Sequence, residues 1–298
     1  MENIIKNILQ KENIKYKNIE KSKSGFTNAV FLVDEKYVVK IIQNQAKTEK
    51  LEKEIEFYKN VKLNCIPQYI TSGQYNGITY LIVEFVKGEP IYKIWHKIDE
   101  TERKNIIKKI CEILKQFHSQ KGDFLPSKFI CDNWLKKWQN SFEYNIKLLS
   151  ERGFDTKNLE NFAKTKLPKI MNQQKICLVY NDAHFDNFLY DGKDLKIIDF
   201  DRVVCYSQDY ELLIISLMAE NPCKFANEED EQNVVESHYA NIMKYMKQYH
   251  KQMFDFEFLE QRVFIYQFIY RLGAGYEYNR NEWLAEELEK FNKFFYGV

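Results

Sequence analysis

The stretch Ile176-Cys177-Leu178-Val179-Tyr180-Asn181-Asp182-Ala183-His184-Phe185-Asp186-Asn187-Phe188-Leu189-Tyr190-Asp191-Gly192-Lys193-Asp194-Leu195-Lys196-Ile197-Ile198-Asp199-Phe200-Asp201 decides how this chain is read. Short apolar strands flank a polar loop within it, and Asp191-Gly192 separates two of them. The sequence on either side carries helical periods instead. Ile106, Ile110, Ile113, Leu114 and Phe117 form the buried stripe of a long helix over about 99–119. Further helices are expected at 132–151, 156–172, 208–219, 227–249, 257–272 and 281–295. A strand island that carries Asp, His and Asn among helices points to chemistry rather than packing.

Upstream of Val86-Lys87-Gly88-Glu89-Pro90 the period changes to that of strands. After an amphipathic helix over about 2–12, strands are expected at 15–24, 29–33 and 37–42, then a charged helix at 47–62. Two more strands, at 68–75 and 78–85, are joined across Tyr75-Asn76-Gly77, where Asn-Gly signals a hairpin. The expected division is a five-stranded lobe over residues 1–86 and a helical lobe over 87–298.

Composition narrows the function classes. Apolar residues make up 45% of the 298 and charged residues 29%, as in an ordinary globular protein. With 44 basic against 43 acidic residues the net charge is +1, which lacks the electrostatic footprint of a non-specific nucleic-acid binder. No apolar run approaches the roughly 20 residues that span a bilayer, and the first helix has no signal-peptide core. A cytoplasmic protein with no membrane, nucleic-acid or obligate protein partner is expected. The 6 cysteines form no C-x-x-C pair and read as buried reduced thiols.

Within the island, Asp182 precedes Asn187 by five positions and Asp199 follows twelve later, which presents three oxygen-bearing side chains at strand ends. That set suits Mg²⁺ held by a carboxylate and an amide oxygen, with the other carboxylate free to orient a hydroxyl nucleophile. The turn Ser22-Lys23-Ser24-Gly25-Phe26-Thr27-Asn28 lies between two strands, where a glycine suits a cover over phosphates. Lys40 interrupts the apolar run Tyr37-Val38-Val39-Lys40-Ile41-Ile42, as a lysine aimed inward at phosphate oxygens does. Glu54 on the following helix is its expected partner, with Glu52 and Glu56 as rivals. Plainer readings compete: a solvent-facing edge lysine, solvated helix glutamates, and a His184 that only supports its loop. His96, His238 and His250 show no ligand spacing, and Asn227 to Glu231 read as an N-cap followed by acids.

Leu178 to Leu189, followed by Leu195-Lys196-Ile197-Ile198-Asp199-Phe200, resembles the H-x-D-x-H-x-x-N and I-D-F pattern of the aminoglycoside phosphotransferase and choline kinase superfamily. The resemblance extends over nearly the whole chain and is closest to the aminoglycoside 2″-phosphotransferase branch. It implies a bilobal, protein-kinase-like α+β fold, with an antiparallel-sheet N-lobe and a mainly helical C-lobe. The activity implied is that of an antibiotic-resistance-type small-molecule kinase using ATP, or GTP, with Mg²⁺. Asp182 would be the catalytic base, His184 the loop support, and Asn187 and Asp199 the metal ligands. Gly25 would lie over the phosphates and Lys40 would contact them, with Glu54 as its partner. Glu84 and Val86 would form the adenine-binding hinge, and Leu114 to His118 resembles the family's Leu-His landmark.

The chain departs from the family in three places. Tyr180 replaces a histidine, Asp201 stands where Gly or Trp is usual, and Glu211 stands for an Asp that anchors the loop. Asp201 is expected near the metal or paired with Arg202, and the longer Glu211 calls for a helix set slightly farther back. No A-P-E-like segment follows Asp199, so the acceptor is expected to be a small hydroxylated cation. Glu277, Glu282, Glu286 and Glu287, with Asp182 and Asp201 at the expected mouth of the cleft, favour an aminoglycoside, and Trp283 is a further candidate in the substrate region. The alternatives are a choline- or ethanolamine-type substrate over Tyr276, Tyr278 and Trp283, or a catalytically silent nucleotide-binding relative.

Overall fold

The structure, a computed structural model, describes residues 1–22, 29–42, 48–226 and 231–298. Strands β1 (Ile19–Lys21), β2 (Ala29–Val33), β3 (Tyr37–Ile41), β4 (Tyr69–Tyr75) and β5 (Ile78–Glu84) form one antiparallel sheet in the order β1-β2-β3-β5-β4. Both faces are covered, and the alternation along β5 shows how. Tyr80 and Ile82 join Ile5, Ile8 and Leu9 of α1 (Glu2–Lys11), whereas Leu81 and Val83 join Leu51, Ile55 and Tyr58 of α2 (Thr48–Asn60). On β3, Val39 and Ile41 belong to the α1 side, so the strand's two-residue period delivers Lys40 to the α2 side. The β4-β5 hairpin turns at Asn76 (φ 49°) and Gly77 (φ 77°), the paired positive angles that a tight two-residue turn needs.

Past the connector, β6 (Glu89–Pro90) pairs with β8 (Phe188–Tyr190), which pairs with β9 (Leu195–Ile197). A second ribbon joins β7 (Ile176–Val179) to β10 (Val204–Ser207). The island therefore sits directly beneath the connector. Around it pack α3 (Ile91–Trp95), α4 (Glu100–His118), α5 (Trp134–Glu151), α6 (Lys157–Thr165), α7 (Leu167–Ile170), α8 (Leu212–Glu220), α9 (Ile242–Tyr249), α10 (Leu259–Glu277) and α11 (Asn281–Tyr296).

Several helices differ from expectation. The segment 156–172 divides at Lys166, because Pro168 in the first turn of α7 has no N–H to continue a helix. A 3-10 turn, Gln208–Glu211, precedes α8, and of the long helix expected at 227–249 the described residues 232–249 hold a 3-10 turn, Glu236–Tyr239, followed by α9. The N-cap reading of Asn227 to Glu231 falls mostly on 227–230, outside the described residues. Helix α10 runs past Arg271 to Glu277, where Gly275 admits the side chain of Leu284. A Cβ at Gly275 would lie 2.6 Å from Leu284 Cδ2. All 6 cysteines are free, with Cys177 and Cys223 half-buried and the others buried. No helix among the described residues is long and apolar enough to cross a membrane.

Candidate active site

Helix α2 places Leu51, Glu54, Ile55 and Tyr58 on its inner face, which decides among the three candidate glutamates. Glu52 is exposed and Glu56 pairs with Lys59 at 2.9 Å, while Glu54 is fully buried and its Oε1 accepts from Lys40 Nζ at 2.7 Å. Lys40 also donates to Asp199 Oδ1 at 3.2 Å. Burial opposes the ammonium charge, but the Asp199 and Glu54 carboxylates outweigh it and hold the lysine above its ordinary pKa. Glu54 Oε1 further accepts the Phe200 N–H at 3.3 Å, so one carboxylate ties α2 to the Asp199-Phe200 pair.

Phe200 completes that attachment. Its ring stacks on Phe57 with centroids 4.2 Å apart and lies 5.8 Å from Phe117 and 5.7 Å from Tyr180. This aromatic cluster fixes the residue next to Asp199, whose backbone takes the left-handed conformation at φ 64°.

The loop after β7 is anchored from below. Glu211 Oε2 accepts the Tyr180 N–H at 2.8 Å and Oε1 accepts the Asn181 N–H at 3.0 Å, so the longer side chain reaches the loop with both oxygens. Tyr180 provides support in the histidine position by another route: its O–H donates to the Ile198 carbonyl at 2.6 Å and its ring packs edge-on against Phe117 and Phe188. Asp182 is then presented with its atoms already engaged. Asn187 Nδ2 donates to Asp182 Oδ2 and to the Asp182 carbonyl, each at 3.0 Å, and Arg202 Nη1 lies 3.3 Å from Oδ1. His184 Nε2 is 3.6 Å from Oδ2. Burial raises the carboxyl pKa, but His184, Arg202 and the Asn187 amide overcompensate and hold it below its ordinary value. With its nitrogen turned to Asp182, Asn187 keeps Oδ1 out of that contact, and the Asp199 side chain is 43% exposed. Two hard oxygens fit Mg²⁺ only as part of a larger oxygen set, and no group of three or more acidic, His or Cys side chains among the described residues makes such a set alone.

The remaining expected residues fall in different places. At the connector, the Glu84 N–H bonds to the Gln68 carbonyl at 2.9 Å and the Phe85 N–H to the Lys36 carbonyl at 2.8 Å. Val86 makes no backbone hydrogen bond among the described residues, which suits a hinge that reads a base edge. Gly25 lies outside the described residues. Asp201 pairs with Lys50 at 3.7 Å and not with Arg202, and burial together with neighbouring Asp199 pushes its carboxyl up. Glu277, Glu282 and Trp283 form no hydrogen bond or ion pair to the Asp182 loop among the described residues. Trp283 is 44% exposed, beside Tyr278 and beneath the Arg280 guanidinium at 5.8 Å. Glu287, read as part of the acidic tail, is instead buried, with Lys290 at 2.6 Å and Arg271 at 3.6 Å. The residue that sequence reasoning missed is Arg202, which lies 6.0 Å over the Tyr270 ring of α10 and bridges to Asp182. Its position directly after Asp201 was the available signal.

Comparison with known proteins places the chain in a family and a fold. The model of the phosphotransferase enzyme family APH matches residues 18–238. No curated protein sequence matches the chain. Among solved structures, the GDP complex of aminoglycoside 2′-phosphotransferase-IIIa superposes with a TM-score of 0.66 at 18% identity, over 96% of this chain and 95% of that one. The streptomycin-ATP-APH(2″)-IIa ternary complex gives 0.65 at 24% identity over 97% and 95%. Macrolide 2′-phosphotransferase MphH from Brachybacterium faecium gives 0.63 at 9% identity over 96% of each chain. The fold is the bilobal, protein-kinase-like one.

Proposed function

Because this chain belongs to the APH phosphotransferase enzyme family, we propose that it transfers the γ-phosphoryl group of ATP to a hydroxyl of an aminoglycoside-like polycation. It is a small-molecule phosphotransferase with an alcohol group as acceptor. The observation that carries the proposal is the junction of two units: Lys40, Glu54 and Asp199 on one side, and Asp182 with Asn187 on the other.

Asp182 is ionised at neutral pH, so its carboxylate orients the acceptor hydroxyl and takes its proton as the new O–P bond forms. Asn187 fixes Oδ2, which leaves Oδ1, on the Arg202 side, for the hydroxyl. Lys40, held charged by two carboxylates, meets phosphate oxygens, and Val86 offers its free backbone groups to the adenine. Asn187 Oδ1 and Asp199 would hold Mg²⁺, which when bound offsets charge on the phosphate oxygens. APH(2″)-IIa has been crystallised with both streptomycin and ATP, which supports an aminoglycoside as acceptor. The Arg280 cation already over Trp283 disfavours a quaternary ammonium there and so weighs against choline.

The test is incubation with ATP, Mg²⁺ and a panel of aminoglycosides and choline, with products read by mass spectrometry. A phosphorylated aminoglycoside is expected; phosphorylation of choline alone would overturn the proposed acceptor.

A further inference from the structure

Behind the loop that presents Asp182, on the side away from the cleft, four polar side chains from three segments meet. His118 ends α4, His250 follows the last residue of α9, and Gln208 and Glu211 lie in the 3-10 turn before α8. His250, Gln208 and Glu211 are 1%, 7% and 1% exposed, and the His118 side chain 3%. His118 Nε2 is 3.3 Å from Glu211 Oε2, and its Nδ1 is 2.9 Å from His250 Nε2 and 3.1 Å from Gln208 Nε2.

For neutral rings, these distances fix where the protons sit. Glu211 can only accept, so His118 carries its proton on Nε2 and donates it there. His118 Nδ1 then offers a lone pair, which receives the Gln208 amide and His250 Nε2–H. His250 Nδ1 is left bare, and that atom is buried without a hydrogen-bond partner. The reversed arrangement would set the His118 Nε2 lone pair against a Glu211 carboxylate oxygen, a buried unsatisfied contact.

We infer that His250 is a positioning residue for phosphoryl transfer: by donating to His118 Nδ1 it holds the ring whose Nε2–H steers Glu211, and through Glu211 the amides just ahead of Asp182. This rests on the reading of Asp182 as the base. Glu211 is shared between the His118 ring and two loop amides, so a His118 that rotates or changes tautomer leaves the carboxylate free to turn and the loop free to shift. A displacement of that kind affects the hydroxyl's approach to Asp182 and leaves the nucleotide contacts of Lys40 and Val86 in place.

The experiment combines nitrogen-15 NMR of the histidines in the full chain with kinetics of His250→Leu and His250→Gln. Wild-type His118 is expected to carry its proton on Nε2, with an unprotonated Nδ1. Leucine removes the donor, whereas the glutamine amide can reach the place of the imidazole Nε2–H. His250→Leu should lower kcat about fivefold, the worth of one hydrogen bond, with KM for ATP within about twofold. His250→Gln should restore kcat, which a purely space-filling role would not. A His118 proton on Nδ1, equal losses in the two variants, or no loss in either would overturn the inference. Should His250→Leu not fold, the wild-type spectrum and the His250→Gln rate decide. The spectrum needs no turnover, so a failed choice of acceptor cannot be mistaken for a failed relay.

Discussion

The two sides of the cleft are built differently. Around Lys40 the polar groups tie several elements together. Lys40 is clamped between α2 and the Asp199 turn, Glu54 also ties the Phe200 amide, and Glu211 ties the loop to the helical lobe. Around the first turn of α11, Glu277, Glu282 and Trp283 stand exposed on helix surfaces, and among the described residues the ring and cation partners of Trp283 are Tyr278 and Arg280. Buried, multiply bonded groups set the reaction, because moving one leaves others unsatisfied. In the proposed reading the exposed ones would set the acceptor, because they change at little structural cost.

This contrast can be broken most sharply at the base. Asp182→Asn keeps volume but loses the proton acceptor, and kcat should fall by about 10² or more while nucleotide affinity stays near wild type. Equal turnover would remove Asp182 from the chemistry. Next in size is the buried pair: Lys40→Ala leaves Glu54, fully buried, without its countercharge, and should cost roughly 3 kcal/mol in denaturant unfolding as well as weakening ATP binding. In a double-mutant cycle with Glu54→Ala, coupling well above the ~0.5 kcal/mol scatter of independent sites is expected. Additive losses would separate the two residues.

A smaller effect comes from pH. Burial, helped by His118 and Lys115, holds His250 down at about 3 from the ordinary 6.5. The folded state therefore binds fewer protons than the unfolded one between those values, so this contribution is full above about pH 6.5 and is lost progressively as pH falls toward 3. Thermal unfolding followed from pH 7 to pH 4 should show a decline in Tm that is shallower in His250→Gln. Equal slopes would place the pH sensitivity elsewhere. Smallest of all, Glu277→Gln should leave kcat unchanged and raise the KM of an aminoglycoside by less than about threefold, an effect that added salt removes. A loss of kcat at Glu277 would erase the distinction between the two sides.

What the sequence disclosed follows the same line. Local periods were enough for the sheet and for most helices, since strand alternation and helical stripes are written into neighbouring residues. Asp182, Asn187, Asp199 and Lys40 stood out as candidates because the short strands around them set their spacing. Glu54 was named as the partner of Lys40 ahead of Glu52 and Glu56, and the inner-face period of Leu51, Ile55 and Tyr58 gives the physical reason. Pro168 was a visible break in 156–172 that the apolar pattern overrode. His250 was not legible: it meets His118 across 132 positions, and no local pattern encodes a contact of that range. For Asp201 the pairing alternative with Arg202 failed because its ion-pair partner, Lys50, comes from α2, while its place beside Asp199 keeps the other alternative. The acidic tail read from charge alone lost Glu287 to Arg271 and Lys290, since charge counting cannot tell a buried ion pair from a solvated face.

The measurement that reaches the central claim most directly is ADP release by the purified protein with Mg²⁺ and ATP, recorded with and without a kanamycin-class aminoglycoside, in wild type and in Asp182→Asn. The expected result is ADP formation that depends on the aminoglycoside, matches one phosphoryl group gained per product molecule, and disappears in the variant. ADP formation indifferent to the aminoglycoside, or undiminished in Asp182→Asn, would contradict it.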